Sequence, residues 1–391
     1  MTPAARLSAA IEILDDWLAG AAPEQVLTRW GRANRYAGSK DRAAIRDIVY
    51  DAVRCRRSFA ALGRGETGRG LVLGGLRAAG TDPDTLFTGD RFAPAPLSDD
   101  ERDTPDLADQ PDAVRLDLPD WLVPDLRASL GDDFEAVAEE QRHRAPVFLR
   151  VNIDRSTPRA AIAMLADEGI VAEPHPLSPT ALIVTEGARR IAGSAPYADG
   201  LIELQDAASQ AVVDALDITE DLRVLDYCAG GGGKALAMAA QKAHVTAHDI
   251  DARRMRDLPE RDARAAGAEI RIVAPGEAGG GYDLVLADAP CSGSGSWRRA
   301  PQGKWLLTPE RLDELCQIQS SILDDIATRA RPGGRIAYAT CSLLDAENGH
   351  QIDAFLARTP GWTLTKSKRF TPLDGGDGFF VAILQSSPDT R

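Results

Sequence analysis

The fold is decided by the run Leu222-Arg-Val-Leu-Asp-Tyr-Cys-Ala-Gly-Gly-Gly-Gly-Lys234. Its first half is a short apolar run, which is typical of a buried strand, and the glycines from Gly230 to Gly233 permit a tight turn into a helix. Such a turn lets the backbone approach a ligand closely, and the N-terminus of the next helix presents unpaired N–H groups to that ligand. The run therefore predicts a strand, a turn that binds a nucleotide-like cofactor, and a helix.

Strands and helices alternate from this run to the end of the chain. The predicted strands cover residues 222–228, 244–250, 270–273, 282–288, 335–340 and 378–384, and the predicted helices cover residues 234–241, 253–266, 309–330 and 347–357. This alternation predicts an α/β fold with a doubly wound sheet, in which ligands bind beyond the C-terminal ends of the strands.

The first half of the chain has a different pattern. Helical spacing of apolar residues is seen over 3–18, 23–30, 40–61 and 119–143, whereas residues 147–152 and 181–185 are predicted strands on either side of a helix at 158–168. We therefore expect three domains: an all-helical domain over residues 1–143, a small α+β linker domain over residues 144–200 and the α/β domain over residues 201–391.

Composition limits the classes of protein that the chain can represent. No run approaches 18 consecutive apolar residues, and the first 18 residues form an amphipathic pattern rather than a signal peptide. We expect a cytoplasmic protein that does not bind a membrane. The net charge of −14 is concentrated in residues 61–140, which hold 19 Asp and Glu against 7 Arg, so basic stretches elsewhere remain able to meet phosphates.

The five cysteines fall into two groups. None forms a Cys-x-x-Cys pair, so we expect no metal site, and their odd number in a cytosolic protein favours reduced thiols. Cys55, Cys228 and Cys316 lie within predicted helices or an apolar strand, as small core residues do. Cys291 and Cys341 each follow the last apolar residues of a strand, at the edge where ligands bind.

Two thiols at that edge suit covalent attack on a pyrimidine ring. A thiolate that adds to carbon-6 of cytosine makes carbon-5 able to attack an electrophilic methyl group, and a base must then remove the carbon-5 proton before the thiol leaves. Asp288, three residues before Cys291, could contact the N3/N4 edge of the ring. From the residues alone, catalysis by the two thiols and simple packing of both remain equally open.

An acidic residue supports the cofactor interpretation. Asp249 follows Gly230 by 19 residues, and an acid at about this spacing accepts hydrogen bonds from ribose hydroxyls. The pattern fits NAD, FAD and S-adenosylmethionine equally well. A phosphate-binding P-loop is excluded, because Lys234 is followed by Ala235 rather than by Ser or Thr.

Three runs together are specific to one family. Asp288-Ala-Pro-Cys-Ser-Gly-Ser-Gly295, Tyr338-Ala-Thr-Cys-Ser342 and Asp226-Tyr-Cys-Ala-Gly-Gly-Gly-Gly-Lys234 resemble the signature motifs of RNA (cytosine-5)-methyltransferases of the RsmB/Sun type. Further matches are Leu204-Gln-Asp206, Ser209-Gln210, Arg298-Arg299-Ala-Pro301 with Trp305, Glu347-Asn348 and Asp377-Gly-Phe-Phe380. The N-terminal helices resemble the NusB-like domain of the same enzymes.

The resemblance implies a Rossmann-like class I methyltransferase domain and roles for particular residues. It makes Cys341 the nucleophile, gives Cys291 a part in product release, places Asp288 against the base and puts Lys234 at the edge of the active site. The implied S-adenosylmethionine site consists of Cys228, Ala229, Gly230, Gly231, Gly232, Gly233, Lys234, Asp249, Arg254, Glu277, Asp288 and Pro290. The chain departs from the family at Gly231, where proline is usual, at Ala235, where threonine is usual, and near Glu277, where an aspartate is common.

The resemblance also implies an RNA partner. We expect small-subunit ribosomal RNA as the substrate, and we expect a monomer. A basic cluster around Trp30 and Tyr36 could bind phosphates or simply form a solvated helix face; it consists of Arg32, Arg35, Lys40, Arg42, Arg54, Arg56 and Arg57. A second basic stretch, at Arg142, Arg144, Arg150, Arg155 and Arg159, could extend that surface. Trp297 could stack on a base or pack in a core.

The sequence leaves two other functions open and disfavours two more. A non-catalytic NusB-like factor in ribosome assembly or antitermination and a tRNA cytosine-5 methyltransferase remain open. A DNA cytosine methyltransferase is disfavoured by the second thiol at Cys341, and a zinc deaminase by Ser294, where a Pro-Cys-x-x-Cys motif needs cysteine.

Overall fold

The computed structural model describes residues 1–265 and 270–388, which group into two compact units. The first unit consists of Met1–Arg144 together with Trp297–Leu306, and the second consists of Ala145–Ser296 and Leu307–Arg391. Ten residues that the sequence assigns to the α/β domain thus belong to the helical unit. The division into three domains remains a prediction.

The first unit is helical. Its helices are α1 Pro3–Leu18, α2 Pro23–Ala33, α3 Ser39–Arg54, α4 Arg56–Leu62, α5 Gly68–Ala78, α6 Asp99–Arg102, α7 Asp112–Arg115, α8 Val123–Leu130 and α9 Phe134–Glu140. The short helix α15, Gln302–Leu306, also belongs to this unit. Its apolar core joins α1 to α5.

One predicted helix is broken in two. Residues 40–61 were expected to form a single helix, but the backbone leaves helical geometry at Cys55 (φ −106°, ψ 36°). The buried Asp117 explains the break, because its carboxylate accepts hydrogen bonds from the backbone N–H groups of Arg57 (2.9 Å) and Ser58 (2.8 Å). These bonds satisfy the free donors of a new helix N-terminus.

The second unit begins with a four-stranded antiparallel sheet in the order β2-β3-β1-β4. Its strands are β1 Val147–Val151, β2 Val171–Pro174, β3 Ala181–Glu186 and β4 Ile202–Leu204, and helix α10, Pro158–Asp167, packs on it through Ala161 and Leu165. The strand β2 was not predicted. β4 pairs with β1 but lies beyond residue 200, where the sequence placed the end of this domain.

A seven-stranded sheet forms the rest of the second unit, in the order β10-β11-β9-β8-β5-β6-β7. The strands are β5 Arg223–Asp226, β6 His244–Ala247, β7 Arg271–Ile272, β8 Tyr282–Asp288, β9 Ala330–Thr340, β10 Trp362–Phe370 and β11 Phe379–Ser386. The associated helices are α12 Ala207–Asp214, α13 Gly233–Ala239, α14 Leu258–Ala265, α16 Pro309–Arg329 and α17 Gly349–Arg358, whereas α11, Ala195–Ala198, contacts α10 and β4 of the four-stranded sheet.

The strand order confirms the expected doubly wound sheet. The five strands β7, β6, β5, β8 and β9 are parallel, and β11 is antiparallel to both of its neighbours. The order reverses beside β5, so the crevice beyond the C-terminal end of β5 is the position at which such sheets bind ligands.

The elements differ from the predictions mainly at their ends. The strand predicted over 244–250 stops at Ala247, and the helix predicted over 347–357 begins at Gly349. The helix predicted over 253–266 begins at Leu258, and its predicted last residue lies outside the described residues. No helix that the structure describes is both long and apolar enough to cross a membrane.

Candidate active site

The two thiols singled out in the sequence lie side by side. Parallel pairing of β8 with β9 aligns Asp288 with Ala339, so that Cys291 and Cys341 leave adjacent strands at the same edge of the sheet. Their Sγ atoms are 3.4 Å apart, and both side chains are partly exposed. The structure therefore brings together two groups that are 50 residues apart in sequence.

Two glycines allow the loops that carry these thiols to approach closely. The N–H of Gly295 donates to the carbonyl of Cys341 (2.9 Å), and the N–H of Gly378 donates to the carbonyl of Gly295 (2.8 Å). A Cβ on Gly295 would lie 2.0 Å from the carbonyl oxygen of Gly378. The matched Asp377-Gly-Phe-Phe380 run therefore contacts the loop after Cys291 through its backbone, and the contact leaves no space for a side chain at Gly295.

The surroundings of Cys291 keep its thiol protonated. The pKa of Cys291 is raised well above its usual value, first by its hydrogen bond with Cys341 and then by burial. A thiol with a raised pKa keeps its proton at neutral pH and can donate it in a hydrogen bond to a neighbouring thiolate. Cys291 therefore remains protonated at neutral pH and can act as a hydrogen-bond donor at this edge of the sheet.

A buried ion pair lies at the same edge of the sheet. The Nζ atom of Lys234 donates to Oδ2 of Asp288 (2.6 Å) and lies 5.0 Å from the centre of the Phe379 ring. Burial lowers the pKa of Lys234, but the carboxylates of Asp288 and Asp226 outweigh it, so that the pKa is raised overall. Lys234 is therefore a permanent cation in the site, and Asp288, with its side chain 34% exposed, remains open to a ligand.

The glycine turn has the geometry predicted for a cofactor site. Gly230 (φ +51°) and Gly232 (φ +79°) adopt left-handed conformations, and α13 begins directly afterwards at Gly233. A Cβ on Gly232 would lie 2.2 Å from Cδ1 of Leu258. Both conformation and space therefore require glycine at position 232.

Asp249 lies beside this turn. Its carboxylate accepts hydrogen bonds from the N–H of Gly230 (2.9 Å) and pairs with the guanidinium of Arg254 (3.1 Å). The next residue, Ile250, is an apolar side chain that is 80% exposed. These residues fit S-adenosylmethionine. The buried carboxylate of Asp249 suits the ribose, the exposed side chain of Ile250 suits the adenine, and the glycine turn at a helix N-terminus suits the polar end of the cofactor.

The remaining predicted cofactor residues are less closely grouped. Glu277 is exposed in the turn after β7, and Arg254 is about half-exposed. The backbone N–H of Ala229 donates to the carbonyl of His248. The carbonyl of Gly231 accepts from Arg261, and that of Pro290 accepts from Gln319. The thiol of Cys228 is half-buried, and burial raises its pKa. No group of three or more His, Cys, Asp or Glu side chains in the described part of the chain could hold a metal ion.

Two interpretations from the sequence are resolved by burial. Arg150 cannot extend a basic surface, because its side chain is buried and donates to Oε1 of Gln205 and to the carbonyl of Gly233. Burial lowers the pKa of Arg150 to about 10. Trp297 is 1% exposed, so it packs rather than stacking on a base.

Sequence reasoning missed three residues at this site. Arg150 supports the first turn of α13, Ile250 offers an apolar surface next to Asp249, and Glu347 contacts both cysteine loops. Only Glu347 had a signal, since it lies in a run that matches the family.

Comparisons with known proteins agree with this geometry. The family model of the 16S rRNA methyltransferase RsmB/F matches residues 213–385, and that of the ferredoxin-like domain of RsmF/B-like methyltransferases matches residues 118–189. The chain is 36% identical over 288 residues to the ribosomal RNA small subunit methyltransferase B of Xanthomonas campestris pv. campestris. That match covers 68% of this chain and 66% of the relative, slightly less than two thirds of its length.

Solved structures share the fold. The crystal structure of PH0851 has a TM-score of 0.75 at 22% identity and covers 99% of both chains. NSun6 from Pyrococcus horikoshii, solved with SFG, has a TM-score of 0.61 at 18% identity and covers 69% of this chain and 99% of its own. These likenesses confirm the Rossmann-like fold class that the motifs implied.

Proposed function

The chain belongs to the RsmB/F family of 16S rRNA methyltransferases, and on this premise we propose that it methylates carbon-5 of a cytosine in 16S rRNA with S-adenosylmethionine as the methyl donor. The observation that carries the proposal is the pair of thiols at 3.4 Å, beside the Lys234–Asp288 ion pair and the glycine turn. The bound cofactor supplies an electrophilic methyl group. Residues Cys228 to Lys234, with Asp249, Ile250 and Arg254, hold it.

Cys341 is the nucleophile. The proton that Cys291 retains stabilises a thiolate on Cys341, which attacks carbon-6 of the cytosine. Electrons move from the carbon-5–carbon-6 double bond toward the N3 edge of the ring, where Asp288 accepts a hydrogen bond from the exocyclic amino group. The ammonium of Lys234, 2.6 Å from Oδ2 of Asp288, orients that side chain and offsets the negative charge that develops on the ring.

Product release reverses the addition. Once carbon-5 carries the methyl group, its proton passes to a water molecule, the carbon-5–carbon-6 double bond forms again and the sulfur of Cys341 leaves as a thiolate. Cys291 assists this step by donating a hydrogen bond to the departing thiolate of Cys341, whose sulfur lies 3.4 Å from its own. The base must be rotated out of its stack to reach these groups.

The helical unit supplies affinity for RNA. Arg32, Arg35, Lys40 and Arg42 are exposed around Tyr36, whose side chain is 73% exposed. Cations in this arrangement attract phosphates without reading sequence, and an exposed aromatic ring offers a stacking surface. The chain's net charge of −14 makes a local basic surface necessary for such binding.

The test is transfer of a labelled methyl group to 16S rRNA, with bisulfite sequencing to locate the product. Cys341→Ala should abolish transfer and form no covalent complex. Cys291→Ala should accumulate a protein–RNA adduct, seen as a slowly migrating band on a denaturing gel, and Cys316→Ala should behave as the wild type. RNA binding without methyl transfer by the wild type would instead support a non-catalytic NusB-like factor, and a product found only in tRNA would replace the proposed substrate.

A further inference from the structure

Glu347 is a buried carboxylate between the two cysteine loops. Its side chain has no exposure, although it lies only six residues after the partly exposed Cys341. A buried charge is costly unless several hydrogen bonds compensate it. The chain therefore maintains this carboxylate through specific contacts, and those contacts identify what it does.

The contacts of Glu347 reach both loops. Oε1 accepts from the backbone N–H of Ser292 (2.8 Å) and from Nε2 of Gln319 (3.0 Å). Oε2 accepts from Oγ of Ser292 (2.5 Å) and from Oγ of Ser342. Ser292 is the residue after Cys291 and Ser342 is the residue after Cys341, so one side chain links the two loops directly behind the two sulfurs.

The surrounding bonds make this link rigid. Oγ of Ser294 lies 3.0 Å from Oγ of Ser342 and accepts from the N–H of Leu343 (2.8 Å). Asn348 donates to the carbonyl of Ser342 (2.9 Å) and accepts from the hydroxyl of Thr340 (2.6 Å). The serines of both signature runs thus act as partners of Glu347 rather than as solvent-exposed groups.

We propose that Glu347 is a positioning residue that fixes the separation of the two sulfur atoms and thereby sets the rate of methyl transfer. This inference rests on the proposed function. Glu347 does not touch the base or the cofactor site in this scheme and acts only through Ser292 and Ser342. Its charge also contributes to the raised pKa of Cys291, after Cys341 and burial, and so favours the protonated form of that thiol.

Two substitutions separate geometry from charge. Glu347→Gln keeps the length of the side chain, and its amide can still accept from two N–H groups while it donates to the two serine hydroxyls, so it preserves the link. Glu347→Ala removes the link and with it four hydrogen bonds. The exposed Glu220→Gln is the matched control. Ser342→Ala, which removes the hydroxyl that donates to Glu347 together with its contacts to Ser292 and Ser294, carries the same test if Glu347→Ala does not fold.

The first readout is closure of a disulfide between Cys291 and Cys341 by diamide, which takes up the two thiol hydrogens. A disulfide requires a specific geometry, so the rate of closure reports the sulfur positions without any RNA or cofactor. Peptide mass spectrometry should show closure that is about tenfold slower in Glu347→Ala than in the wild type, with Glu347→Gln and Glu220→Gln close to the wild type. The second readout is methyl transfer, for which Glu347→Ala should lower kcat about 100-fold with little change in KM for RNA, because displacement by about 1 Å has effects of this size.

The outcomes distinguish this inference from the proposed function. Equal closure rates and equal kcat in the wild type and Glu347→Ala would overturn the positioning role while leaving the methyltransferase proposal intact. Equal losses in Glu347→Gln and Glu347→Ala would also overturn it, because charge and not the link would then be decisive. Slow closure in Glu347→Ala, combined with a wild type that methylates no RNA, would uphold the positioning role and remove the proposed function.

Discussion

Asp226, at the end of β5, should make the stability of the second unit fall as pH rises. Burial first, and the neighbouring Asp288 second, raise the pKa of Asp226 from 3.8 to about 7. The folded chain therefore holds a proton that the unfolded chain releases above pH 3.8. The stability that this proton provides is fully present below pH 3.8 and is lost as pH rises through about 7.

The size of the effect follows from the two pKa values. At about 1.4 kcal/mol per pKa unit, the loss from Asp226 is about 1.7 kcal/mol at pH 5 and about 4 kcal/mol at pH 8. Asp226→Asn removes this titration, so the variant should gain about 2.5 kcal/mol relative to the wild type between pH 5 and pH 8. Comparing two pH values cancels any effect of the substitution that does not depend on pH.

Thermal unfolding provides the measurement. For a unit of this size, about 2.5 kcal/mol corresponds to roughly 5–10 °C in Tm. The Tm of Asp226→Asn minus that of the wild type should therefore be greater at pH 8 than at pH 5 by roughly 5–10 °C. The exposed Asp353→Asn serves as the control and should show no such shift. A difference that stays constant from pH 5 to pH 8 would refute the argument that a buried proton on Asp226 controls stability.

Three other predictions concern the cofactor site, the cysteine loops and the basic surface of the helical unit. Asp249→Asn should weaken the binding of S-adenosylmethionine about 10- to 100-fold, measured by calorimetry, because charged hydrogen bonds to ribose contribute about 1.5–3 kcal/mol. Unchanged affinity would contradict the role of Asp249 in binding the ribose. The Cβ of Gly378→Ala would lie 2.8 Å from Cα of Gly295, so the variant should lower the free energy of unfolding by about 1–3 kcal/mol in chemical denaturation and should lower kcat. A kcat equal to that of the wild type would show that the two loops can separate without loss of activity. Arg32→Ala combined with Arg35→Ala should lower the slope of log affinity for RNA against log salt by about 1.4–1.8 in filter binding, and an unchanged slope would place the RNA elsewhere.

The position of the two thiols could be predicted from the sequence because it depends on local signals. The apolar run before Asp288 and the one before Thr340 each fix a strand, and the alternation with helices makes these strands parallel. Parallel strands end at the same edge, so Cys291 and Cys341 had to lie there. The glycine conformations at Gly230 and Gly232 followed for a similar reason, since the turn is contained within one short segment.

The remaining features depend on contacts between distant residues. Asp117 interrupts the long helix at Cys55 from about 60 positions away, and Glu347 bonds to Ser292 across 55 positions. Arg150 looked like one of several surface cations because its buried acceptor lies 83 positions further along. The strand β10 lacked a signal since its central residues are exposed on both faces and carry no apolar alternation.

The assignment of Trp297–Leu306 to the helical unit bears on how this chain can be divided. Lys304 and Trp305 donate to the carbonyls of Arg54 (3.0 Å) and Val53 (2.7 Å), and Arg54 donates to the carbonyl of Arg298 (2.9 Å). A fragment that stops at residue 144 would therefore lack part of its own interior and would leave these buried partners unsatisfied. A transplant of the helical unit into another enzyme would therefore have to carry both segments, residues 1–144 and 297–306.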